Sequence, residues 1–357
     1  MSDRASRLAE KLPEIGADLL VVTSLVNVRY LTGFTGSNAM VLVGPDTRTF
    51  VTDFRYVAQS SAEVDGDFDR TIAQQELMDT IPDLLPSGEV RLAFEDAHMS
   101  VRSHSRLREV APERVTLVPG GDAVEALRVV KDADEIRRIG EAAKVADAAL
   151  RRIMEEGLVG RSEISVAVAL ERAMEDLGAQ RPSFPSIVAA GPHGALPHAQ
   201  PRDVEIGANE LVVIDWGAEL DGYCSDCTRT LATGDLPDAT LEAYDLVHQA
   251  QLAGLEAVTA GADGRGVDAV AREVISDAGH AEHFGHGLGH GVGLEIHELP
   301  RLSQRSESVL ATGNVVTVEP GVYVPGQFGV RIEDLVVVTE EACQILTSVP
   351  KELIAVG

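Results

Sequence analysis

"VVTVEPGVYVPGQFGVRIEDLVVV", residues 315–338, reads as an apolar strand ending in Glu319, a glycine-bearing turn, and a returning strand that delivers Glu333. A carboxylate at the end of a buried strand is costly unless it is paired, protonated or bound to a cation. Residues 211–230, "LVVIDWGAELDGYCSDCTRT", repeat the pattern with Asp215 and then Asp226. Gly222 and Gly326 sit between the two acids of each stretch and let the chain turn back. Asp215 and Glu319 are 104 positions apart.

The same offset recurs upstream. "GLVGRSEISVAVALERAMEDLG" starts at Gly157 and "GADGRGVDAVAREVISDAG" at Gly261, again 104 positions later. Both read G-x-x-G-R, then a helix, then D-x-G. A helix precedes each one. The first starts near Asp132, with Glu135 completing a capping box, and carries the apolar stripe Ile136, Ile139, Ala143, Ala146, Leu150 and Ile153 up to Gly157. The second is "ATLEAYDLVHQAQLAGLEAV". The pattern predicts two similar α/β halves facing each other across a pseudo-twofold axis, each supplying two carboxylates.

Four carboxylates in one cleft repel one another. Two divalent cations would neutralise them, and bridging carboxylates set the separation of ~3.5–4 Å found in two-metal hydrolases. The competing reading makes these acids salt-bridged core residues, partnered by Arg229 and Arg331. The repeat favours the metal site. The run "HFGHGLGHGVGLEIHE", residues 283–298, adds four histidines. Its glycines weaken any helix, so His286 and His290 are not a helical zinc pair, and no HExxH is present. An oxygen-rich set with one imidazole suits Mn²⁺, Co²⁺ or Fe²⁺, and accommodates Zn²⁺. The chain has no phosphate-binding loop, dinucleotide fingerprint or G-x-S-x-G elbow.

Other features bound the protein class. A chain of 357 residues with 45% hydrophobic content has enough material for two domains. The net charge of −27 argues against nucleic acid and anionic membranes as partners. The charged N-terminus does not read as a signal peptide, and no apolar run reaches membrane-spanning length. Cys224, Cys227 and Cys343 are too few for a disulfide framework and suit a reducing cytoplasm. The CxxC of Cys224 and Cys227 lies in a strand-like stretch and reads as two strand thiols, not a redox motif. Before residue 122, helix and strand alternate: "RLAEKLPEI" is helical, and "DLLVVT", "AMVLVG" and "RTFVTD" are strands. The Gly/Pro break in "LVPGGDAVEAL" places a boundary there, giving domains 1–122 and 123–357.

The C-terminal stretches "VVIDWGAELDGYCSDCTRT", "HGLGHGVGLEIHE", "TVEPGVY" and "GVRIED" resemble the pita-bread dinuclear metallopeptidases. That family includes methionine aminopeptidases, aminopeptidase P and Xaa-Pro dipeptidase (prolidase). "NVRYLTGFTGSNAMVLV" and "FVTDFRY" resemble the smaller N-terminal α/β domain of its Xaa-Pro members, so the resemblance spans nearly the whole chain. It implies five metal ligands: Asp226 and Glu333 bridging two ions, Asp215 chelating one, His290 and Glu319 holding the other. All five are present, unlike in the non-metal relatives. It implies Glu319 as proton carrier, His297 at the tetrahedral intermediate, and His286 and His198 on the substrate side. Arg301 matches an arginine of compact prolidases that would bind the product carboxylate. Arg331 stands beside Glu333 on the substrate side, placed to orient the ligand carboxylates. The expected activity is hydrolysis of the bond before proline in short peptides, with Mn²⁺ as the expected metal and a cytoplasmic homodimer as the expected assembly. Arg301 favours a dipeptidase over aminopeptidase P. A methionine or general aminopeptidase would lack the N-terminal domain, and a non-catalytic binding module would not need five ligands. His193, His280 and His283 receive no role, and His248 falls on a helix.

Overall fold

The computed structural model describes residues 2–357. The chain forms two compact units, Met1–Arg128 and Val129–Gly357. Their junction lies past the break read at 122, because the short helix Glu125–Arg128 stays with the first unit. There Tyr30 donates to the Leu127 carbonyl at 3.0 Å, and Arg128 donates to Asn27 Oδ1 at 2.8 Å.

The first unit is built on a six-stranded mixed sheet. Its order from edge to edge is Asp69–Ala73, Thr47–Asp53, Ala39–Gly44, Leu19–Val22, Val90–Phe94 and Val115–Pro119. Thr47–Asp53, Ala39–Gly44 and Leu19–Val22 pair antiparallel with one another, and the other three pairings are parallel. Met40, Leu42, Val51 and Leu92 fill one of its cores. The N-terminal helix Ser2–Lys11 passes into a 3-10 turn, Leu12–Ile15, at Pro13, which has no N–H to continue an α-helical ladder.

The second unit contains the repeat. In its first half, helices Ala133–Glu156 and Glu163–Asp176 cover a sheet of Ile187–Ala190, Leu211–Trp216 and Cys227–Ala232. In its second half, helices Asp238–Ala257 and Gly264–Asp277 cover a sheet that includes Gly289–Gly291, Val315–Val318 and Asp334–Val338. Each half has its own core. Leu150, Ile153, Leu170, Ile214 and Trp216 belong to the first, and Val247, Ala250, Val267, Val316 and Val318 to the second. Backbone conformation repeats as well: Gly157 and Gly261 have φ of 80° and 85°, and Gly222 and Gly326 have φ of 77° and 74°. An L side chain resists that left-handed region, which explains why glycine stands at both equivalent turns. The helix Ala133–Glu156 begins with the expected capping box, Asp132 accepting from the Glu135 amide and Glu135 from the Asp132 amide. Among the described residues, no helix is long and apolar enough to cross a membrane.

The single tryptophan, Trp216, is buried in the first core and donates its indole N–H to the Ala146 carbonyl at 2.8 Å. Its fluorescence therefore reports unfolding of that half. Leu170→Ala, at a fully buried position in the same core, is expected to destabilise the protein by about 2–5 kcal/mol. Denaturant titration followed at Trp216 checks this; an unshifted midpoint would contradict the packing described.

Candidate metal centre

The strand Leu211–Trp216 carries Asp215 to its end, and antiparallel pairing sets Thr228 opposite it. Asp226 immediately precedes that partner strand, Cys227–Ala232. In the second half, Glu319 follows the strand Val315–Val318, and Glu333 lies between Phe328–Arg331 and Asp334–Val338. The halves are joined at this point: the Glu333 amide donates to the Thr228 carbonyl at 3.1 Å, and Thr228 Oγ1 donates to Glu333 Oε2 at 2.8 Å. Asp215, Asp226 and Glu333 each present an oxygen atom, and these lie within 4.8 Å of one another.

His290 completes the group. Its Nδ1 lies 3.1 Å from the Gly291 carbonyl, which assigns the proton to Nδ1 and leaves the Nε2 lone pair available. Nε2 is 3.5 Å from Asp226 Oδ2 and 3.4 Å from Glu319 Oε1. Burial holds the imidazole neutral, its pKa pushed down to about 3. A neutral nitrogen lone pair facing two carboxyl groups forms a concave set of donor atoms.

The electrostatics point the same way. Burial pushes Asp226 well above the usual carboxylate range, and Glu333, Asp215 and Glu319 push it further. Glu333 rises for the same reasons, burial first and then Glu319 and Asp215. Burial lifts Glu319 to about 7 against the opposing pull of Arg331. Among the described residues, Asp215 Oδ1 and Glu333 Oε1 are buried and accept no hydrogen bond. Buried oxygens without partners require an explanation, and a bound cation is the one this donor set fits.

The ten candidate residues line one cavity of about 500 Å³: Asp215, Asp226, His290, Glu319 and Glu333 with His198, His286, His297, Arg301 and Arg331. Arg331 donates to Asp215 Oδ2 at 2.7 Å, to Thr228 Oγ1 at 2.9 Å and to Tyr323 Oη at 2.9 Å. Arg229, the other cation considered as a partner for the acids, turns away to Asp334 at 2.8 Å and to the Val349 and Pro350 carbonyls. His297 packs its ring edge against His290, centroids 4.4 Å apart. Arg301 lies cross-strand from His290. Both nitrogens of His286 are engaged, Nδ1 with the Gly287 carbonyl at 2.8 Å and Nε2 with Tyr323 Oη at 2.9 Å. It lines the cavity and also reaches Arg331 through Tyr323.

Three buried residues of the site escaped the sequence reading: Thr228, Thr317 and Tyr323. Thr317 Oγ1 accepts from the His290 amide and donates to Glu319 Oε1, both at 3.0 Å. A signal existed for the threonines. Thr317 stands two positions before Glu319 and Thr228 two after Asp226, so strand alternation puts each on its acid's face. The glycines of the histidine run also have a second cause. A Cβ on Gly289 would overlap the Thr317 carbonyl, and one on Gly291 the Leu299 carbonyl.

Fold and site together are those of a pita-bread metallopeptidase. Residues 137–340 match metallopeptidase family M24 and residues 4–130 match the creatinase/prolidase N-terminal domain, and the chain belongs to this family. An Xaa-Pro dipeptidase from Bacillus anthracis superposes with a TM-score of 0.96 at 40% identity, covering 99% of both chains. An X-Pro aminopeptidase from Thermotoga maritima superposes with a TM-score of 0.90 at 35% identity, over 99% of this chain and 100% of that one. The Xaa-Pro dipeptidase of Pyrococcus furiosus is 34% identical over 99% of this chain and 100% of its own length. Family membership implies divalent-metal binding.

A test follows from the buried acids. Their folded-state pKa values are raised, so the fold favours their protonated forms. These acids should then contribute most to the stability of metal-free protein below the ordinary carboxylate range and lose that contribution as pH rises to about 7, where Glu319 ionises, while the neutral, buried His286 and His290 contribute in the opposite sense. Asp226→Asn mimics the protonated acid. It is expected to gain melting temperature relative to the wild type as pH rises without metal, and to lack the rise expected when Mn²⁺ is added to the wild type. A metal-free melting-temperature difference between Asp226→Asn and wild type that does not grow in favour of the variant from pH 5 to pH 8 would contradict the electrostatics.

Proposed function

We propose that this protein is a metal-dependent Xaa-Pro dipeptidase that cuts the bond before proline and releases the N-terminal residue. The carrying observation is the cavity itself, in which the acids and His290 adjoin an apolar wall of Phe184, Pro185, Ile187 and Ile296 and the cationic Arg301. Proline forms a tertiary amide with no N–H, so an enzyme cannot grip that bond through a backbone hydrogen bond. Recognition must come from shape and from the product's ends. The apolar wall suits the pyrrolidine ring, and Arg301 suits the free carboxylate of a C-terminal proline.

Asp215, Asp226, His290, Glu319 and Glu333 would hold two divalent cations, with Mn²⁺ the expected metal and Co²⁺, Fe²⁺ or Zn²⁺ compatible with the same donors. When bound, such a pair polarises the scissile carbonyl and acidifies the attacking water. Glu319 takes the proton of that water and passes it to the leaving prolyl nitrogen. His297, exposed at the cavity beside His290, supplies a hydrogen bond to the developing oxyanion. His198 contacts the substrate, and His286 acts on the site through Tyr323. Arg331 fixes the orientation of Asp215. The free cysteines fit a reducing cytoplasm, and the family resemblance supports a homodimer.

The second reading is an aminopeptidase P acting on longer peptides, favoured by the likeness to the Thermotoga aminopeptidase. Metal-free protein restored with Mn²⁺ and assayed on Ala-Pro, Ala-Pro-Gly and Met-Ala-Ser separates the two. The dipeptidase reading expects Ala-Pro as the best substrate, and preference for the tripeptide would replace it with the aminopeptidase. Glu319→Ala should lose metal and activity together, and a fully active variant would refute the ligand set. Arg301→Ala should raise KM for Ala-Pro by roughly tenfold or more, the loss of one charge-assisted contact, and affect Ala-Pro-Gly less. Equal effects on both would remove Arg301 from carboxylate recognition.

A further inference from the structure

Glu163 opens the helix Glu163–Asp176, one residue after its Ser162 cap. A carboxylate in the first turn of a helix is ordinary on a surface, where it meets the positive end of the helix dipole. Glu163 is instead only 1% exposed. A buried charge demands partners, and this carboxylate finds them in one downstream segment. It accepts from the Ala190 amide at 3.0 Å, from the ring of His193 at 2.9 Å, and from the Arg202 amide at 2.9 Å. Arg202 adds its guanidinium, at 3.1 and 3.0 Å. One side chain thus joins both ends of residues 190–202.

That segment forms part of the cavity wall, contributing Pro197, His198, Ala199 and Gln200. Its far side is also fixed. The Pro197 carbonyl accepts from Arg331 Nη1 at 3.1 Å, and Arg331 in turn holds Asp215. Gly194 and Gly329 touch so closely that a Cβ on Gly329 would overlap the Gly194 carbonyl. The loop is pinned to the second half at its crown and to Glu163 at its base.

We propose that Glu163 is a positioning residue for substrate: by tying Ala190, His193 and Arg202 together, it holds the His198 wall against the cavity. The proposal rests on the dipeptidase reading of that cavity. Glu163→Gln keeps the shape but turns an amide N–H₂ toward donors that need an acceptor. The five candidate ligands come from other segments, so metal content should be unchanged.

The test compares Mn²⁺-loaded wild type, E163Q, H198A and the double variant for Ala-Pro kinetics, metal content and amide hydrogen exchange. E163Q should raise KM by about tenfold with kcat within about threefold, because substrate contact is lost and the reacting groups are not. Exchange should quicken in residues 191–201 and stay unchanged in the strand Leu211–Trp216. The double variant should have a KM within about twofold of H198A alone, since both substitutions remove the same contact. Wild-type KM in E163Q, unchanged exchange in 191–201, or multiplied effects in the double variant would each overturn the proposal. If E163Q does not fold, His193→Asn weakens the same clamp through one partner and is judged by the same outcomes. Wild type that cleaves no Xaa-Pro peptide would overturn the dipeptidase reading, and with it the substrate role of the clamp. Exchange in 191–201 would still show separately whether Glu163 holds the loop.

Discussion

Asp215, Asp226 and Glu333 bring oxygen atoms within 4.8 Å of one another, with Glu319 joined to the same group through His290. Each pair of like charges at such range costs on the order of a few kcal/mol even at the high effective dielectric of a protein site. No fold would assemble this group for stability alone. The surrounding contacts manage the cost: Arg331 reaches Asp215, Thr228 donates to Glu333, Thr317 donates to Glu319, and His290 is kept neutral. Among the described residues, Asp215 Oδ1 and Glu333 Oε1 still go without partners, and divalent cations would meet that remaining demand.

The same requirement accounts for the architecture. Two halves with separate cores meet where the Glu333 amide bonds the Thr228 carbonyl, so each contributes carboxylates from the ends of rigid strands to a common seam. Sites held on strands keep their geometry better than sites held on loops. The segment of the cavity wall at residues 190–202 is itself tied down, by Glu163 at its base and by Arg331 and Gly329 at its crown. The carboxylates thus stand at the ends of paired strands, and the His198 wall is a clamped loop.

Much of this was legible in the sequence, for a physical reason. Strand alternation and the 104-residue repeat are local patterns, so the acids at strand ends, the capped helix and the two halves could be read directly. Contacts between distant segments could not. Thr228 and Glu333 are 105 positions apart, and their hydrogen bond depends on how two sheets meet. Arg229 illustrates the limit: its position next to the acids suggested a partner, yet its guanidinium runs to Asp334 and the C-terminal segment. His193 went unassigned because only tertiary structure brings it onto Glu163. Cys224 and Cys227 are strand residues, buried and free, as the β-like pattern around them implied.

Under the proposed function, the two halves of the repeat build one site for two divalent cations, and catalysis depends on them. Stepwise addition of Mn²⁺ to metal-free protein, with bound metal counted and Ala-Pro hydrolysis followed in the same samples, tests it most directly. Saturation is expected at two ions per chain, with activity absent from the metal-free protein and complete at that ratio. Saturation at a single ion, or hydrolysis that proceeds without metal, would contradict it.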